Sequence, residues 1–584
     1  QSDGFYYYAY LRSLAFDHDV NFTNDYRLLG MGDKAQLFQP TPTGYAQSAW
    51  TIGPAIVWSP FFAVGHVVAR ALHARGREVS VDGTSFPYRQ AVCLASLFYG
   101  LIGCWLTYRI TRRFFPPASA AIATATVICG SFMLWYLVKE PSMTHAASMA
   151  AVALFVTVWL ETRDARSIGA WAALGALTGL MALIRWQNVL FALLPGIDAL
   201  LLLGQARARH DAAAARRAFA GSAAFLACAV IAFTPQMLAW KAIYGTFVAR
   251  SPLGPQIRWT QPHVADVLWS ARNGLLSSTP VLYLGMVGLI LFALLRPSAG
   301  LPLLLAVAVM IYFNACIQDW WGSAAFGARR FDGTIPMFAI GLAAIVDTGA
   351  ALLRRHATAA IAAALGVLVL WNLALIGAAS EGLVQTGDTV PFDRAWSAQA
   401  RVLHDWMGDP FTYPASLWFA VRNGVSPGEY DVLWTNRFLG DPARQYGRLD
   451  IGSDDDPFLE DGWQAPEHDG PITFRWAGAA AMLRIPLDHA APLHIQIRLH
   501  AFSYPGAPGQ TVTISANGRA CAPVDVPADW ATLDCDLDAS AWRSGLNRVA
   551  LNFGRAARPV DVGLGGDARP LAAAVDWIRV IVQR

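Results

Sequence analysis

Charge is what this chain of 584 residues has least of: Asp, Glu, Lys and Arg make up 15% of it, against 55% hydrophobic residues. A soluble globular composition carries more charge than that, so a polytopic membrane protein is expected. Neither sign dominates, with 44 Lys and Arg set against 41 Asp and Glu for a net charge of +3. The surplus is too small for a nucleic-acid binder. Cysteine is scarce, and five of the seven, Cys93, Cys104, Cys129, Cys228 and Cys316, fall in apolar segments where they act as small hydrophobes. No spacing of His, Cys, Asp and Glu is diagnostic of a metal site, and no repeat recurs at a fixed period. The first residue is Gln1 rather than Met, so a removed signal segment or an additional span ahead of it is expected.

What is abundant is long apolar sequence. Runs of span length occur near 90–110, 119–138, 143–161, 168–184, 186–204, 217–240, 275–296, 300–316, 335–353 and 357–379, about ten in all. Every second connection is basic: Arg109, Arg112 and Arg113; Arg163 and Arg166; Arg207, Arg209, Arg216 and Arg217; Arg296; Arg354 and Arg355. The positive-inside rule puts these loops in the cytoplasm. The N-terminal stretch, the loops near 139–145, 241–273 and 317–334 and the C-terminus then lie outside. Ile52 to Leu72 is also apolar enough to span, but a crossing there would invert every orientation. It is read as a helix in the outer interface, which Gly53, Pro54 and Pro60 with Trp50 and Trp58 suit, with a kinked buried span as the alternative.

Past residue 380 the pattern changes. Segments 472–476, 481–487, 493–500, 511–516, 547–553 and 575–582 alternate with period two between Gly, Pro, Asn and Asp turns, which predicts an antiparallel sandwich. The expected organisation is therefore 1–89, a first external loop with interfacial helices; 90–379, the membrane domain; 380–470, a linking layer; and 471–584, an exported all-β domain. Cys521 and Cys535 flank a short strand pair there and could form a disulfide in an oxidising compartment. Trp463, Trp476 and Trp530 are read as core in preference to sugar-stacking residues. The acidic run Asp454 to Asp456 with Glu460 is read as a solvated turn in preference to a calcium site.

Chemistry-bearing residues concentrate in the external loops. The front end carries Asp3, Asp17, His18, Asp19 and Asp25 among aromatic residues. Further along come Lys139, Glu140 and His145, then Arg185, and then Asp319, Arg329 and Arg330. Ionised groups beside so many spans are expected to line a polar interfacial cavity. Arg329 and Arg330 lie outside, against the positive-inside trend, and forked guanidinium groups suit phosphate oxygens. Arg185 and Lys139 are reserves for that task. Bland readings stand beside these: Asp17 and Asp19 as turn or cap residues, Asp3 as a first-turn acid, and His145 as a buried hydrogen-bonding group.

In layout the chain resembles the GT-C superfamily of membrane glycosyltransferases. Asp3-Gly4 followed by Tyr6, Tyr7 and Tyr8 stands where those families place an Asp, often Asp-Glu, and a Tyr-containing helix. A second interfacial helix and an Arg-punctuated march of spans follow. The C-terminal sandwich resembles the jelly-roll carbohydrate-binding modules of the arabinofuranosyltransferase branch. Gly4 departs from the Glu of many relatives. The resemblance implies a polytopic α-helical fold with an all-β sandwich, in a bacterial inner membrane, its active side periplasmic. It implies transfer with inversion from a polyprenyl-phosphate sugar, such as a pentofuranose, to a hydroxyl on a glycan, lipid or protein. Asp3 would be the base, with Asp17 or Asp19 as substitutes or acceptor-orienting groups, and Tyr7, Glu140, His145 and Asp319 would join the substrate site. No cofactor is required, although a divalent cation held by Glu140, His145 or the 17–19 cluster is an option. A non-catalytic flippase of lipid-linked glycans is the rival reading.

Overall fold

The computed structural model describes residues 2–249, 251, 256–353, 357–435, 448–453, 455–487 and 489–582. Gln1, Arg354, Arg355 and Asp454 lie outside the described residues. The chain divides into two compact units, Gln1–Gln399 and Ala400–Arg584. The second unit thus begins well ahead of the expected sandwich boundary at 471.

Among the described residues of the first unit, eight helices are long and apolar enough to cross a bilayer: Gly53–Ala74, Phe86–Arg112, His145–Ala165, Trp186–Ala208, Ala212–Tyr244, Pro297–Ala315, Arg329–Leu352 and Thr358–Ser380. Pro117–Cys129, Ile168–Ile184 and Pro280–Leu295 are apolar but shorter. The expected span at 119–138 is broken, because Gly130 to Phe132 separates Pro117–Cys129 from a short helix at Met133–Val138. Carbonyls freed by a break in an apolar bundle need a partner. Buried Asn372 supplies it, its Nδ2 donating to the carbonyls of Cys129 at 3.0 Å and Ser131 at 3.2 Å.

The helices run between two unlike ends. Arg163 and Arg166 follow one end of the His145–Thr162 helix, whose other end carries His145. Arg296 precedes Pro297–Ala315, which leads into the Asp319 loop. All the described basic connections therefore share one end, and Glu140, His145, Arg185 and Asp319 to Asp332 share the other. Small residues allow the helices to approach closely. A Cβ on Gly288 would lie 1.9 Å from the carbonyl oxygen of Gly341, and one on Gly175 would lie 2.1 Å from that of Phe225.

The helix Gly53–Ala74 begins against the Leu183–Ile184 backbone at the second of these ends. It then runs antiparallel to the first half of Phe86–Arg112, with the Tyr99 hydroxyl on the Val57 carbonyl at 2.9 Å and His66 Nδ1 2.7 Å from the Tyr88 hydroxyl. Both its ends stay on the side of the bundle away from the basic loops. Val64, Val67 and Val68 on this hairpin face outward, as do Leu94 and Phe98.

In front lies an aromatic layer built on the Ser2–Arg12 helix. Tyr6 stacks on Trp50 with centroids 3.5 Å apart, and Tyr10 meets Phe22 edge-on at 4.5 Å. Arg12 is buried here and binds two carboxylates, Asp17 at 2.6 Å and Asp25 at 2.7 Å. Burial pushes the Asp25 carboxyl up to about 6 against the pull of Arg12.

The second unit is a two-sheet antiparallel sandwich. Its strands are β1 Arg448–Asp450, β2 Trp463–Asp469, β3 Ile472–Ala477, β4 Ala480–Leu487, β5 Leu493–Ala501, β6 Gln510–Ala516, β7 Arg519–Ala520, β8 Val524–Val526, β9 Ala531–Leu537, β10 Gly545–Phe553 and β11 Ala573–Val582. One sheet has the order β2-β3-β11-β5-β9 with β1 on β11, and the other has β4-β10-β6-β7 with β8 on β6. Strict alternation on β5 buries Leu493, Ile495, Ile497 and Leu499 and leaves His494, Gln496 and Arg498 half-buried on the outer face. β1 and β2, which fall within the expected linking layer, pair into the sheet.

Cys521 and Cys535 are disulfide-bonded, with Cα atoms 6.1 Å apart. Asp455 is buried and held by Arg475 through two contacts of 2.8 Å, so the acidic run is a clamp for a guanidinium. Trp463 packs on the sandwich core and donates Nε1 to the Met482 carbonyl at 2.7 Å. Trp476 and Trp530 instead flank His500 on the outer sheet face, at centroid distances of 5.3 and 4.4 Å.

Two substitutions probe these units. Removing one partner of a buried ion pair costs about 3–5 kcal/mol, so Arg12→Gln should lower the stability of the detergent-solubilised protein by that order at pH 8. The loss should shrink at pH 5, because Asp25 without its cation takes a proton there; thermal unfolding at the two pH values measures this, and equal losses would refute it. Cys535→Ser releases a loop whose ends are 14 residues apart, which should cost about 3 kcal/mol, read from denaturant unfolding followed by Trp fluorescence.

Candidate functional site

A cleft of about 340 Å³ opens at the end of the bundle away from the basic loops, lined in part by Asp3, Tyr7, Trp50, Arg185, Gln187, Asp319, Arg329 and Arg330. Asp3 occupies the first turn of Ser2–Arg12, and Tyr7 follows one turn later on the same face. The Asp3 side chain is one-quarter exposed, and its Oδ2 lies 3.0 Å from Nη1 of Arg329, which is 9% exposed. A carboxylate partly open to solvent and paired to a nearly buried cation can exchange that partner for an incoming group. Burial pushes the Tyr7 hydroxyl up to about 12, with Arg185 pulling the other way, so Tyr7 remains a neutral hydrogen-bonding group.

Arg329 and Arg330 are adjacent in sequence but differently used. Arg330 grips Asp319 with Nη2 at 2.9 Å from both carboxylate oxygens, and its Nη1 donates to the Asp319 carbonyl at 2.6 Å. That fork closes the 319–330 loop on itself. Gln187 Nε2 donates to the Arg330 carbonyl at 2.5 Å, tying the loop to the segment after Arg185. Trp135 stacks on Phe326 at 4.5 Å, and the Phe326 amide donates to the Tyr136 hydroxyl at 3.0 Å. Arg329 is thereby delivered from a loop anchored at several points.

Beneath the cleft, His145 and Arg185 meet in a network with Asp332, Ser148 and Asn188, to which sequence reasoning assigned no role. Asp332 is fully buried; it accepts His145 Nδ1–H at 2.7 Å and the Ser148 hydroxyl at 2.9 Å, and Arg185 Nε lies 3.5 Å from it. Ser148 in turn accepts from Asn188 Nδ2 at 2.9 Å. His145 is thus a buried orienting group and not a lining residue, and it has no lone pair on Nδ1 to spare for a metal. The signal for Asp332 was available, since it is a carboxylate at the mouth of an apolar run. Trp50, Gln187 and Ser148 carried no such signal.

The remaining expected residues separate. Glu140 lies within electrostatic reach of Arg329 and Asp3, and burial pushes its carboxyl up. Lys139 is exposed and does not line the cleft. Asp17 binds Arg12 and Asn24, and Asp19 accepts from the Ser13 hydroxyl and the Asn21 amide, so neither reaches the cleft. Asp19 has a turn role, whereas Asp17 is a salt-bridge partner and not the turn or cap residue expected. Among the described residues no three His, Cys, Asp or Glu side chains come together as a metal site, and the 17–19 donors are already engaged.

Gly4 has a structural reason. A Cβ there would stand 2.9 Å from the Ser142 carbonyl oxygen, so the N-terminal helix lies directly on the 139–144 loop. No Glu side chain fits at this position.

No family model matches the chain, and no curated protein matches it by sequence. Solved structures do resemble it. The arabinosyltransferase EmbB from Mycobacterium smegmatis is 12% identical at a TM-score of 0.40, with 100% of this chain and 63% of that one covered. ArnT from Cupriavidus metallidurans is 15% identical at 0.39, with 73% and 69% covered. The C-terminal CBM6 of LamC, a laminarinase from Zobellia galactanivorans, is 12% identical at 0.16, covering 23% of this chain and 98% of the module.

Gly4→Ala should destabilise the front layer by about 1–3 kcal/mol through overpacking, and Gly4→Glu should do so more severely. Thermal unfolding, together with protease cleavage in the 139–144 loop, distinguishes this from an unaltered fold.

Proposed function

We propose that the chain is an integral membrane glycosyltransferase, moving a sugar with inversion from a polyprenyl-phosphate donor to an acceptor hydroxyl. The Asp3–Arg329 pair in a cleft at the membrane end carries this reading. A phosphate entering among Arg185, Arg329 and Arg330 would compete with Asp3 for Arg329, because guanidinium groups bind phosphate through charge-assisted forks. Asp3 is then released as acceptor of the hydroxyl proton. As the acceptor oxygen attacks the anomeric carbon, the bond to the lipid phosphate breaks and the phosphate departs with its electron pair, its growing charge met by Arg329 and Arg185. A phosphate leaving group needs no second carboxyl as general acid, unlike the alcohol of glycoside hydrolysis.

Asp332, His145 and Ser148 hold Arg185, and Asp319 with Arg330 shapes the loop. Tyr7 and Trp50 form the opposite wall, and Glu140 adds to the field at Arg329. The basic loops support a cytoplasmic assignment for their end, which favours a cleft on the outer side of a bacterial inner membrane. The last spanning helix ends at Ser380 on the cleft side, and a disulfide in the second unit suits an oxidising compartment. The acceptor would be a glycan, lipid or protein hydroxyl, and a pentofuranose such as arabinofuranose is the first donor sugar to try.

Purified protein given synthetic polyprenyl-phosphoryl sugars should release lipid phosphate, and Asp3→Asn should slow turnover by about 10²–10⁴-fold, the usual weight of a general base. Undiminished turnover in that variant removes Asp3 from the role. Lipid translocation in liposomes without transfer on any donor would favour a flippase instead.

A further inference from the structure

Among the described residues of the second unit, nine large apolar side chains are exposed, and seven of them fall within 406–421. They are Trp406, Met407, Phe411 at 97%, Tyr413, Leu417, Trp418 at 69% and Val421 at 80%. A folded domain does not normally concentrate such residues in one outward-facing stretch. The stretch carries one charged side chain, Asp409, whose Oδ1 is turned back onto the Phe411 amide at 2.9 Å.

The patch is mounted on a folded support. The helix Ala415–Asn423 buries Ser416, Phe419 and Ala420 on one face, with Phe419 5.5 Å from both Tyr430 and Trp434. Leu417, Trp418 and Val421 project from the other face. The Pro410–Thr412 turn ahead of it presents Phe411. This construction holds apolar side chains out from a packed core.

We propose that the 406–421 surface seats in the headgroup interface of the bilayer that the helical unit crosses. Trp, Tyr and Phe together are the residues favoured at that depth, where an aromatic body meets hydrocarbon and a polar edge meets water. Exposed Arg401 and Arg422 bracket the stretch, as cations do beside lipid phosphates. The outward large apolar residues of the spanning helices, such as Leu200, Ile231 and Leu301, already require lipid cover, and this surface follows the last of those helices in sequence. Seated there, the sandwich would be held at the membrane by a second attachment besides its tether.

The test uses the full chain in lipid nanodiscs containing headgroup-labelled nitroxide lipids, with a bimane fluorophore on Trp418→Cys, on Phe411→Cys and, as a control, on exposed Ser503→Cys. The unaltered chain supplies the background from its own thiols. Bimane at 411 and 418 should be quenched at least about two-fold by the nitroxide lipids and shielded from aqueous iodide, and that at 503 should behave oppositely. Equal iodide access at all three sites would overturn the proposal. So would cross-linking of 418 to 418 between two copies, which would make a second chain the cover. Two labelling sites on different elements separate a local fault in one variant from failure of the idea.

Discussion

The pairing of each guanidinium group around the cleft with its own carboxylate is the constraint on which the rest depends. Arg329 meets Asp3, Arg330 meets Asp319, and Arg185 meets Asp332. Where water is scarce an unpaired ion is costly, so three cations can be kept beside a cavity only if three anions are built in with them. The pairs are not equivalent. Arg330–Asp319 is forked and closes its own loop, Arg185–Asp332 sits over a fully buried carboxylate, and Arg329–Asp3 joins two distant segments through a single contact of 3.0 Å.

Much of the surrounding architecture brings the N-terminal helix to its place. The aromatic layer packs Ser2–Arg12 from one side, and Gly4 lets it settle on the 139–144 loop from the other. Arg12 gathers Asp17 and Asp25 behind it, so the front end uses a second cation to neutralise its surplus acids. The same economy recurs at the basic end, where buried Asp198 accepts from Arg163 at 3.1 Å and from Trp159 at 2.7 Å. It recurs again in the sandwich, where Arg475 holds Asp455 and Asp456. In each of these clusters the carboxylates are engaged by arginine.

The interruption after Cys129 illustrates how the bundle tolerates irregular backbone. Carbonyls exposed by the break are capped by Asn372 from a helix more than two hundred residues later. That polar side chain lies in one of the most apolar runs of the chain, and its purpose is visible only when the partner helix is alongside. The break turns the Met133–Val138 helix toward the cleft, where Trp135 and Tyr136 support the arginine-bearing loop.

Sequence alone determined the features that depend on local composition and period. Apolar runs marked the spanning helices, arginine placement marked the two ends of the bundle, and alternation located six strands within two residues of their observed bounds. It also gathered Asp3, Arg185, Asp319 and the Arg329–Arg330 pair on one side, because sidedness is a property of chain order. The tertiary structure decided which of those residues meet. Asp17, Asp19 and Lys139 resemble Asp3 and Arg329 in type and sidedness, and only three-dimensional packing shows that they point elsewhere. Asp332, Ser148 and Asn188 gain their role from helices distant in sequence. β1 and β7 were missed because strands of three and two residues carry too little alternation to be recognised, and β2 because its burial at the sheet edge does not alternate with period two. A side chain's charge and hydrophobicity are written in the chain, whereas its partner is set by contacts between segments that the sequence does not order in space.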